Sequence, residues 1–255
     1  MEPSFFATSS DPFSLHPLLN QYIQLDAVKS AHFNDKDGRY HYTKHGQRVA
    51  CGGLVKTLKY RFCPHYKDNR SKRNWKSNVR GSSKEQGKKI DNQLLEYVRT
   101  GKAPKRAHKM TKSLLHYWIK EKKHTLQASQ LPVEIEGGWN KMTQADIITR
   151  DEITGDLYLW EVKTGFPVGG FRQQDNFKAP LADVKCTKYN IWQLQLYYTR
   201  QALEQKGLRF KEANVIQIYE KKKEKELIIK IHPQEDWLSR APNLAASNHY
   251  KPIVL

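Results

Sequence analysis

The run from Glu85 to Thr100 carries apolar residues at the period of an α-helix. Four of them fall on one arc of the helical wheel: Ile90, Leu94, Leu95 and Val98. Asp91 lies within that arc, so we expect it to face the core, whereas Glu85 projects from the opposite side. Gly87 lies on the arc one turn earlier, where a missing side chain lets another backbone approach. The pattern predicts a helix with one inward-facing carboxylate.

Further along the chain the period changes to that of short β-strands, which we predict at 132–138, 142–149 and 156–164. Before them, a second helix is expected over 111–123, with Thr111 as its N-cap. A strong helix over 190–207, closed by Gly207, and a final hairpin of 214–220 with 227–231 follow the strands. This order predicts an α/β domain with a mixed central sheet flanked by helices.

The first part of the chain lacks a sustained period. Residues 1–45 read as an irregular arm with one short helix around 16–28, and the polar, basic stretch 66–83 reads as a loop. We therefore divide the chain into an N-terminal extension, 1–80, that is partly irregular and basic towards its end, and a core, 81–255.

Positive charge is concentrated in one part of the sequence. The formal net charge is +18, and residues 56–123 alone hold 21 Lys and Arg against five acids. A localised field of this kind attracts a polyanion, which makes nucleic acid the leading partner, with a solvated basic face as the alternative. Arg80 and Lys88 are candidate backbone contacts, and Trp75 is a candidate for base stacking or for anchoring its loop.

The three cysteines, Cys51, Cys63 and Cys186, are too few and too irregularly spaced for a disulfide framework or a zinc knuckle. This usage favours a reducing, intracellular location. No stretch approaches the roughly 18 apolar residues of a membrane span, and the N-terminus has no apolar segment typical of an export signal, so we expect a non-secreted protein without a membrane partner.

The strand at 156–164 places two charges in an otherwise apolar run. Side chains alternate faces along a strand, so Glu161 and Lys163 share a face with Leu157 and Leu159. Asp146, on the preceding strand, is expected to lie across a hairpin from Glu161. Two carboxylates brought together repel each other unless a cation lies between them, and oxygen ligands favour Mg²⁺ or Mn²⁺. Asp91 could supply a third carboxylate, with Glu85 as the alternative.

Three ordered motifs over about residues 85–200 resemble the PD-(D/E)XK nuclease superfamily, most closely its RecB-type and mitochondrial-genome-maintenance-exonuclease-like branches. They are EQGKKIDNQLLEYVRTGKAP from Glu85, TQADIITRDEITGDLYLWEVKTG from Thr143, and QLQLY from Gln193. Two positions depart from the pattern of these branches. Asp91 stands where they usually have a metal-binding His, and Thr143-Gln144-Ala145 replaces their usual Gly-Thr-x before the aspartate.

The resemblance implies a restriction-endonuclease-like core that hydrolyses DNA with Mg²⁺ or Mn²⁺. It implies metal ligation by Asp146, Glu161 and the Val162 carbonyl, and it places Lys163 on the attacking water. Gln193 would orient that lysine or water. Tyr197 and the nearby Arg200 would lie along the DNA path. Some RecB-type relatives hold an iron–sulfur cluster with four cysteines, and with three here we predict none.

The type of nuclease stays open at this point. The glycine-rich stretch 165–180 after the active strand contains three phenylalanines, which favours an exonuclease or a nuclease acting on single strands or free ends in DNA replication, repair or recombination. A structure-selective endonuclease that cuts flaps or junctions is the first alternative. A nucleic-acid-binding protein that has lost cleavage is the second, although all three residues of the core triplet are present.

Overall fold

The structure, a computed structural model, describes residues 15–34, 37, 39–64, 83–135, 141–164, 175–221, 226–242 and 253–254. Over these ranges the α-helices are α1 (Pro17–Ile23), α2 (Asp26–Lys29), α3 (Leu54–Phe62), α4 (Ser83–Thr100), α5 (Lys109–His116) and α6 (Lys188–Gln205). The strands are β1 (His32–Asn34), β2 (Arg39–Lys44), β3 (Gln47–Gly52), β4 (His124–Ile135), β5 (Lys141–Asp151), β6 (Leu157–Thr164), β7 (Phe210–Lys221), β8 (Glu226–Pro233) and β9 (Ile253–Val254). A π-helical turn (Tyr117–Glu121) follows α5, and a 3-10 turn (Asp236–Arg240) follows β8.

A five-stranded mixed sheet with the order β4-β5-β6-β7-β8 forms the centre of the fold. Neighbouring strands are antiparallel except β6 and β7, which run parallel because α6 crosses over between them. The β5–β6 hairpin turns through Gly155, whose φ of 77° suits a residue without a side chain. The predicted α/β fold with a mixed sheet flanked by helices is confirmed.

Side-chain alternation along β6 separates two hydrophobic cores on the two faces of the sheet. Leu157 and Leu159 lie in one core with residues of α1, α3 and α6, whereas Tyr158 and Trp160 lie in the other with residues of α4 and α5. A strand buried on both faces is expected when helices cover both sides of a sheet. The charged end of β6 therefore lies between two layers of helices.

The N-terminal part of the chain contains more regular structure than the sequence pattern predicted. Strands β1, β2, β3 and β9 form a second, four-stranded sheet, and α1 and α3 contribute to the same core as the central sheet. Glu134 of β4 accepts hydrogen bonds from Tyr42 Oη at 3.2 Å and from Lys44 Nζ at 2.7 Å of β2. The short strands of this sheet are mostly polar and half-exposed, which explains why they show no clear hydrophobic period.

Helix α5 corrects one prediction about a helix start. It begins at Lys109, and its N-cap is His108, whose Nδ1 accepts a hydrogen bond from the Met110 amide at 3.2 Å. The predicted cap, Thr111, is wrong: it is buried inside the helix and donates to Gln93 Oε1 at 2.8 Å. A side-chain contact between α4 and α5 thus uses the hydroxyl that the sequence pattern assigned to a cap.

Two of the cysteines are joined. Cys63, at the end of α3, and Cys186, just before α6, form a disulfide with a Cα–Cα distance of 5.9 Å, while Cys51 is a buried free thiol. The bridge ties α3 to the start of α6 across 123 residues of chain, a pairing that the irregular spacing gave no reason to expect. Among the residues that the structure describes, no helix has the length and apolar character needed to cross a membrane.

Candidate active site

Strands β4 and β5 are distorted where Asp146 lies. Gln130 occupies the position across from Asp146, between the pairs Ser129–Ile147 and Leu131–Ala145, and its φ of 54° is in the left-handed region. Ala128 and Leu131 both enter the core shared with α6, although residues three apart in a regular strand point to opposite faces. This break in the alternation coincides with the one predicted catalytic residue of β5.

The Asp146 carboxylate is held by hydrogen bonds from both neighbouring strands. Its Oδ2 accepts from the Val162 amide of β6 at 2.8 Å, and its Oδ1 accepts from Gln130 Nε2 of β4 at 3.4 Å. The bond to Val162 uses a main-chain donor on the strand that carries Glu161 and Lys163. The orientation of Asp146 is therefore coupled directly to the position of the other two charged residues.

Glu161 and Lys163 lie on the predicted face of β6, the one shared with Leu157 and Leu159. Lys163 Nζ donates a short hydrogen bond to Glu161 Oε1 and lies 3.9 Å from Asp146 Oδ2. Glu161 is 1% exposed, so its charge is removed from water almost completely. One ammonium thus contacts the carboxylates of both strands.

Asp91 is the third carboxylate at this point. It lies on α4, with its side chain turned from the exposed side where Glu85 lies. Burial and then the charge of Asp146 raise the pKa of Asp91 to about 7, against the opposing effect of Lys163. The helical wheel therefore distinguished correctly between Asp91 and Glu85 as the residue that faces inward.

The pKa values of the other three groups reflect the same crowding. Burial and then repulsion from Asp146 raise the pKa of Glu161 to about 8. Burial also raises the pKa of Asp146, against the effects of Lys163 and of the hydrogen bonds from Val162 and Gln130. Burial alone would lower the pKa of Lys163, but Glu161 and Asp146 outweigh it and raise that pKa. Three carboxylates share one ammonium, so they retain protons to unusually high pH.

The donor chemistry of this cluster suits a hard divalent cation. Carboxylate oxygens are the ligands that Mg²⁺ and Mn²⁺ prefer, and the cluster holds more negative than positive groups. Within the described ranges, no three Asp, Glu, His or Cys side chains are grouped closely enough to hold a metal by themselves. Two carboxylates contact the same ammonium here, and Asp91 lies within electrostatic range of it.

Tyr40 brings the N-terminal sheet to the same site. It lies on β2, and its pKa is raised by burial and then by the charges of Asp146, Cys51 and Glu161. Its ring lies 3.6 Å from the position that a side chain on Gly53 would occupy, close to the bridge between Gly53 and Met142 of β5. Strand β2, which belongs to the predicted extension, therefore lies within electrostatic range of the site.

The hydrogen bonds of the α6 residues Gln193, Tyr197 and Arg200 go to partners outside the charged cluster. Gln193 Nε2 donates to Tyr189 Oη at 2.9 Å and to the Pro233 carbonyl at 3.1 Å, and its buried Oε1 has no hydrogen-bond partner among the described residues. Tyr197 Oη accepts from Gln201 Nε2 at 2.8 Å. Among the described residues, neither Gln193 nor Tyr197 forms a hydrogen bond with Lys163.

Arg200 forms hydrogen bonds at the far end of the sheet. Its guanidinium donates to Glu204 Oε1 at 2.8 Å, to Gln234 Oε1 at 3.0 Å and to the Phe210 carbonyl at 2.9 Å. Phe210 pairs with Leu157, at the opposite end of β6 from Lys163. The structure does not bring Arg200 to the site.

Of the remaining predicted nucleic-acid contacts, Lys88 is exposed on α4. Trp75 and Arg80, as well as residues 165–174 of the glycine-rich stretch, lie outside the described residues. Two neighbours of the site were missed from the sequence, Gln130 and Trp192. The signal for Gln130 was Pro132, since a proline in a strand marks an edge strand or an irregularity, whereas Trp192 shows no signal beyond its helical position.

No model of a protein family matches the chain, and no curated protein matches it at a significant level. The case for a function therefore depends on the site itself.

The raised carboxylate pKa values predict how stability changes with pH. A carboxyl group whose pKa is higher in the folded chain than in the unfolded chain binds more protons when folded, so the free energy of unfolding falls as the pH rises between the two values. For Asp91 and Glu161 this window runs from their ordinary 3.8 and 4.5 to about 7 and about 8. In Glu161→Gln we expect the free energy of unfolding to decrease less steeply with rising pH, as measured by urea unfolding at a series of pH values in the presence of a chelator.

The matched control for this prediction is Glu85→Gln, because Glu85 is exposed on the same helix that carries Asp91. We expect its pH profile to follow that of the unmodified chain. A Glu161→Gln profile as steep as that of the control would contradict the assignment of the raised pKa to the buried cluster.

Proposed function

We propose that this chain is a metal-dependent nuclease that hydrolyses phosphodiester bonds in DNA, with the restriction-endonuclease-like core of the PD-(D/E)XK superfamily. The observation that carries the proposal is the contact of Lys163 with both Glu161 and Asp146 at a buried point between two strands. Asp followed by Glu-x-Lys on a hairpin is the arrangement on which the superfamily resemblance depends. An isolated E-x-K tripeptide would not carry it.

The order of the elements supports the finer fold assignment. An inward-facing acid on α4 precedes the antiparallel β4-β5-β6 strands, and α6 then crosses over to the parallel strand β7. The charged residues lie towards the carboxyl end of β6. Ligands of open α/β sheets are commonly bound near the carboxyl ends of their strands.

In this proposal Asp146, Glu161 and the Val162 carbonyl, together with Asp91, hold Mg²⁺ or Mn²⁺. The bound ion supplies Lewis acidity, which polarises the scissile phosphate and lowers the pKa of a coordinated water. Without another cation the carboxylates share Lys163, and a bound divalent ion would relieve the repulsion from Asp146 that adds to burial in raising the pKa values of Asp91 and Glu161.

The other proposed roles in hydrolysis belong to residues of the chain itself. Lys163 keeps its proton because Glu161 and Asp146 raise its pKa, so its ammonium can orient the attacking water and stabilise negative charge on the phosphate. The Val162 amide and Gln130 hold Asp146 in one orientation. Buried neighbours on both faces of β6 limit the access of bulk water, which strengthens each of these electrostatic interactions.

DNA is the proposed substrate because the chain is strongly basic, with a formal net charge of +18. Contacts to the phosphate backbone position a nucleic acid without reading its sequence. Charged groups held together in a largely buried cluster cost folding free energy. A catalytic role accounts for that cost, whereas a protein that only binds nucleic acid has no need of a lysine against two carboxylates. We therefore place hydrolysis ahead of binding alone.

Removal of the Lys163 ammonium should abolish cleavage and leave binding nearly intact. We expect Lys163→Ala to lower the rate of Mg²⁺-dependent DNA hydrolysis by about 100-fold or more, the order found when a charge-stabilising donor is lost. The assay follows a labelled oligonucleotide on a denaturing gel, with binding measured in a chelator. Lys112→Ala, an exposed lysine on α5, is the control. Equal hydrolysis by the two variants would remove Lys163 from the mechanism.

Gln130 should affect hydrolysis through Asp146. Gln130→Gly keeps the φ of 54° free of strain but removes the amide, whereas Gln130→Asn keeps an amide in a residue that tolerates this conformation. We expect the glycine variant to lose about 10-fold in hydrolysis and in Mg²⁺ affinity, and the asparagine variant to lose less. Activity of the glycine variant equal to that of the unmodified chain would exclude a positioning role.

A circular substrate distinguishes the two kinds of nuclease. As an exonuclease or end-processing enzyme, the protein should degrade linear DNA and leave covalently closed circles intact, because it needs a free end to begin. Gel analysis of linear and circular single-stranded and duplex DNA measures this directly. Cleavage of circles, or of flaps and junctions in preference to ends, would favour the structure-selective endonuclease instead.

A further inference from the structure

A second group of basic side chains lies beside the catalytic cluster and outside the three sequence motifs. It begins at Trp192 of α6, a partly buried ring that packs on the core shared with α3. Lys163 Nζ lies 5.9 Å from the centroid of this ring, and Lys188 Nζ lies 5.4 Å from it. One indole therefore places a second ammonium next to the catalytic one, and Lys188 is exposed to solvent.

Helix α3 extends this positive charge away from the site. Leu58 and Phe62 pack α3 into the same core as Ile191 and Leu194 of α6. The pKa of Lys188 is lowered by burial and then by the positive charges of Lys163 and Lys59, so Lys59 lies within electrostatic range of Lys188. Positively charged side chains thus follow one another from Lys163 on β6 through Lys188 on α6 to Lys59 on α3.

Beyond Lys59 the positive charge continues to the N-terminal sheet. Lys56 Nζ lies 5.7 Å from the centroid of the Tyr60 ring, and Lys178 Nζ donates to the Tyr60 carbonyl at 3.3 Å. Burial lowers the pKa of Lys141, and the positive charges of Arg39 and Lys56 lower it further. The side chain of Lys141 packs beside Gly52, 3.5 Å from the position of a Cβ there.

We name this set the cationic band and define it by five residues from four elements: Arg39, Lys56, Lys59, Lys141 and Lys188. Neighbouring like charges repel, so a folded chain that gathers them on one side gains from a polyanionic ligand. Tyr60 is 47% exposed, with Lys56 Nζ 5.7 Å from its ring, and such a ring can stack on an unpaired base. Duplex DNA keeps its bases stacked inside and cannot use such a ring.

We infer that the cationic band binds the sugar–phosphate backbone of a single nucleic-acid strand and leads it to Lys163, with Tyr60 as a stacking platform for a base. The guiding role rests on the proposed nuclease function, whereas the binding itself can be tested without cleavage. This surface is built largely from residues 39–60, so the N-terminal part of the chain supplies substrate contacts rather than a separate module.

A triple variant tests the band against an equal loss of charge elsewhere. Lys56→Gln/Lys59→Gln/Lys188→Gln removes three charges beside α3 and α6. The control Lys105→Gln/Lys112→Gln/Lys120→Gln removes three exposed lysines on the α5 side of the sheet, where Met110 and Leu114 pack into the opposite core. Thermal unfolding of all three proteins establishes that both variants fold.

Binding of a fluorescein-labelled single-stranded 30-mer is measured by anisotropy in EDTA at a series of salt concentrations. Each phosphate contact contributes about 0.7 to the slope of log K against log salt for single strands, so the band variant should lose about 2 from the slope and about 10-fold or more in affinity at low salt. The control should lose distinctly less. Equal losses in the two triple variants, or no loss in the band variant, would overturn the inference.

Tyr60→Ala tests the single-strand preference, and its exposed position makes misfolding a minor concern. We expect a lower affinity for the single strand and an unchanged affinity for a duplex of the same sequence. Equal effects on both would exclude base stacking. If the unmodified protein cleaves no DNA but the band variant binds it more weakly than the control does, the cationic band stands and the nuclease function is rejected. If the unmodified protein cleaves DNA but the band variant and the control bind it equally well, the nuclease function stands and the cationic band is rejected.

Discussion

Lys163 contacts the carboxylates of Glu161, which is buried, and of Asp146, which is half-buried, and the arrangement of the neighbouring elements follows from that contact. Ions taken from water cost several kcal/mol each unless they are paired and hydrogen-bonded. The pairing here is uneven, because Asp91 adds a third carboxylate to a single ammonium. The pKa values of Asp91 and Glu161 are raised, first by burial and then by repulsion from Asp146, and proton uptake is one means of reducing that repulsion. A divalent cation is the alternative means, and it is the one on which the proposed hydrolysis depends.

The elements around the cluster each contribute to this point. Edge strand β4 leaves its regular conformation at Gln130, which brings an amide to Asp146. Helix α4 packs close to the end of β6, where a side chain on Gly87 would meet Thr164 Oγ1 at 3.3 Å, and this close approach brings Asp91 near the strand. From the other face, α6 supplies Trp192 beside the Lys163 ammonium. Catalytic geometry is commonly held by such supporting contacts rather than by the reactive groups alone.

Local periodicity was enough to predict the elements that carry the charged triplet, because each depends on which face of a helix or strand is apolar. The same reasoning chose Asp91 over Glu85 and placed Glu161 and Lys163 on one face of β6. It failed where contacts between distant segments determine the partners of a side chain. The amide of Gln193 bonds to Pro233, 40 residues away, and Arg200 bonds to the Phe210 carbonyl. The half-exposed strands β1, β2 and β3 and the left-handed backbone of Gln130 likewise depend on partners that sequence spacing does not reveal.

Direct titration with Mn²⁺, followed by electron paramagnetic resonance, tests whether the crowded carboxylates form a cation site. Mn²⁺ takes the same oxygen ligands as Mg²⁺ and gives a signal that distinguishes free from bound ion. We predict that the unmodified chain and Glu85→Gln bind Mn²⁺ alike, and that Glu161→Gln binds it at least about 10-fold more weakly. Equal Mn²⁺ binding by all three proteins would mean that the buried cluster holds no cation, and the account of hydrolysis given above would fail with it.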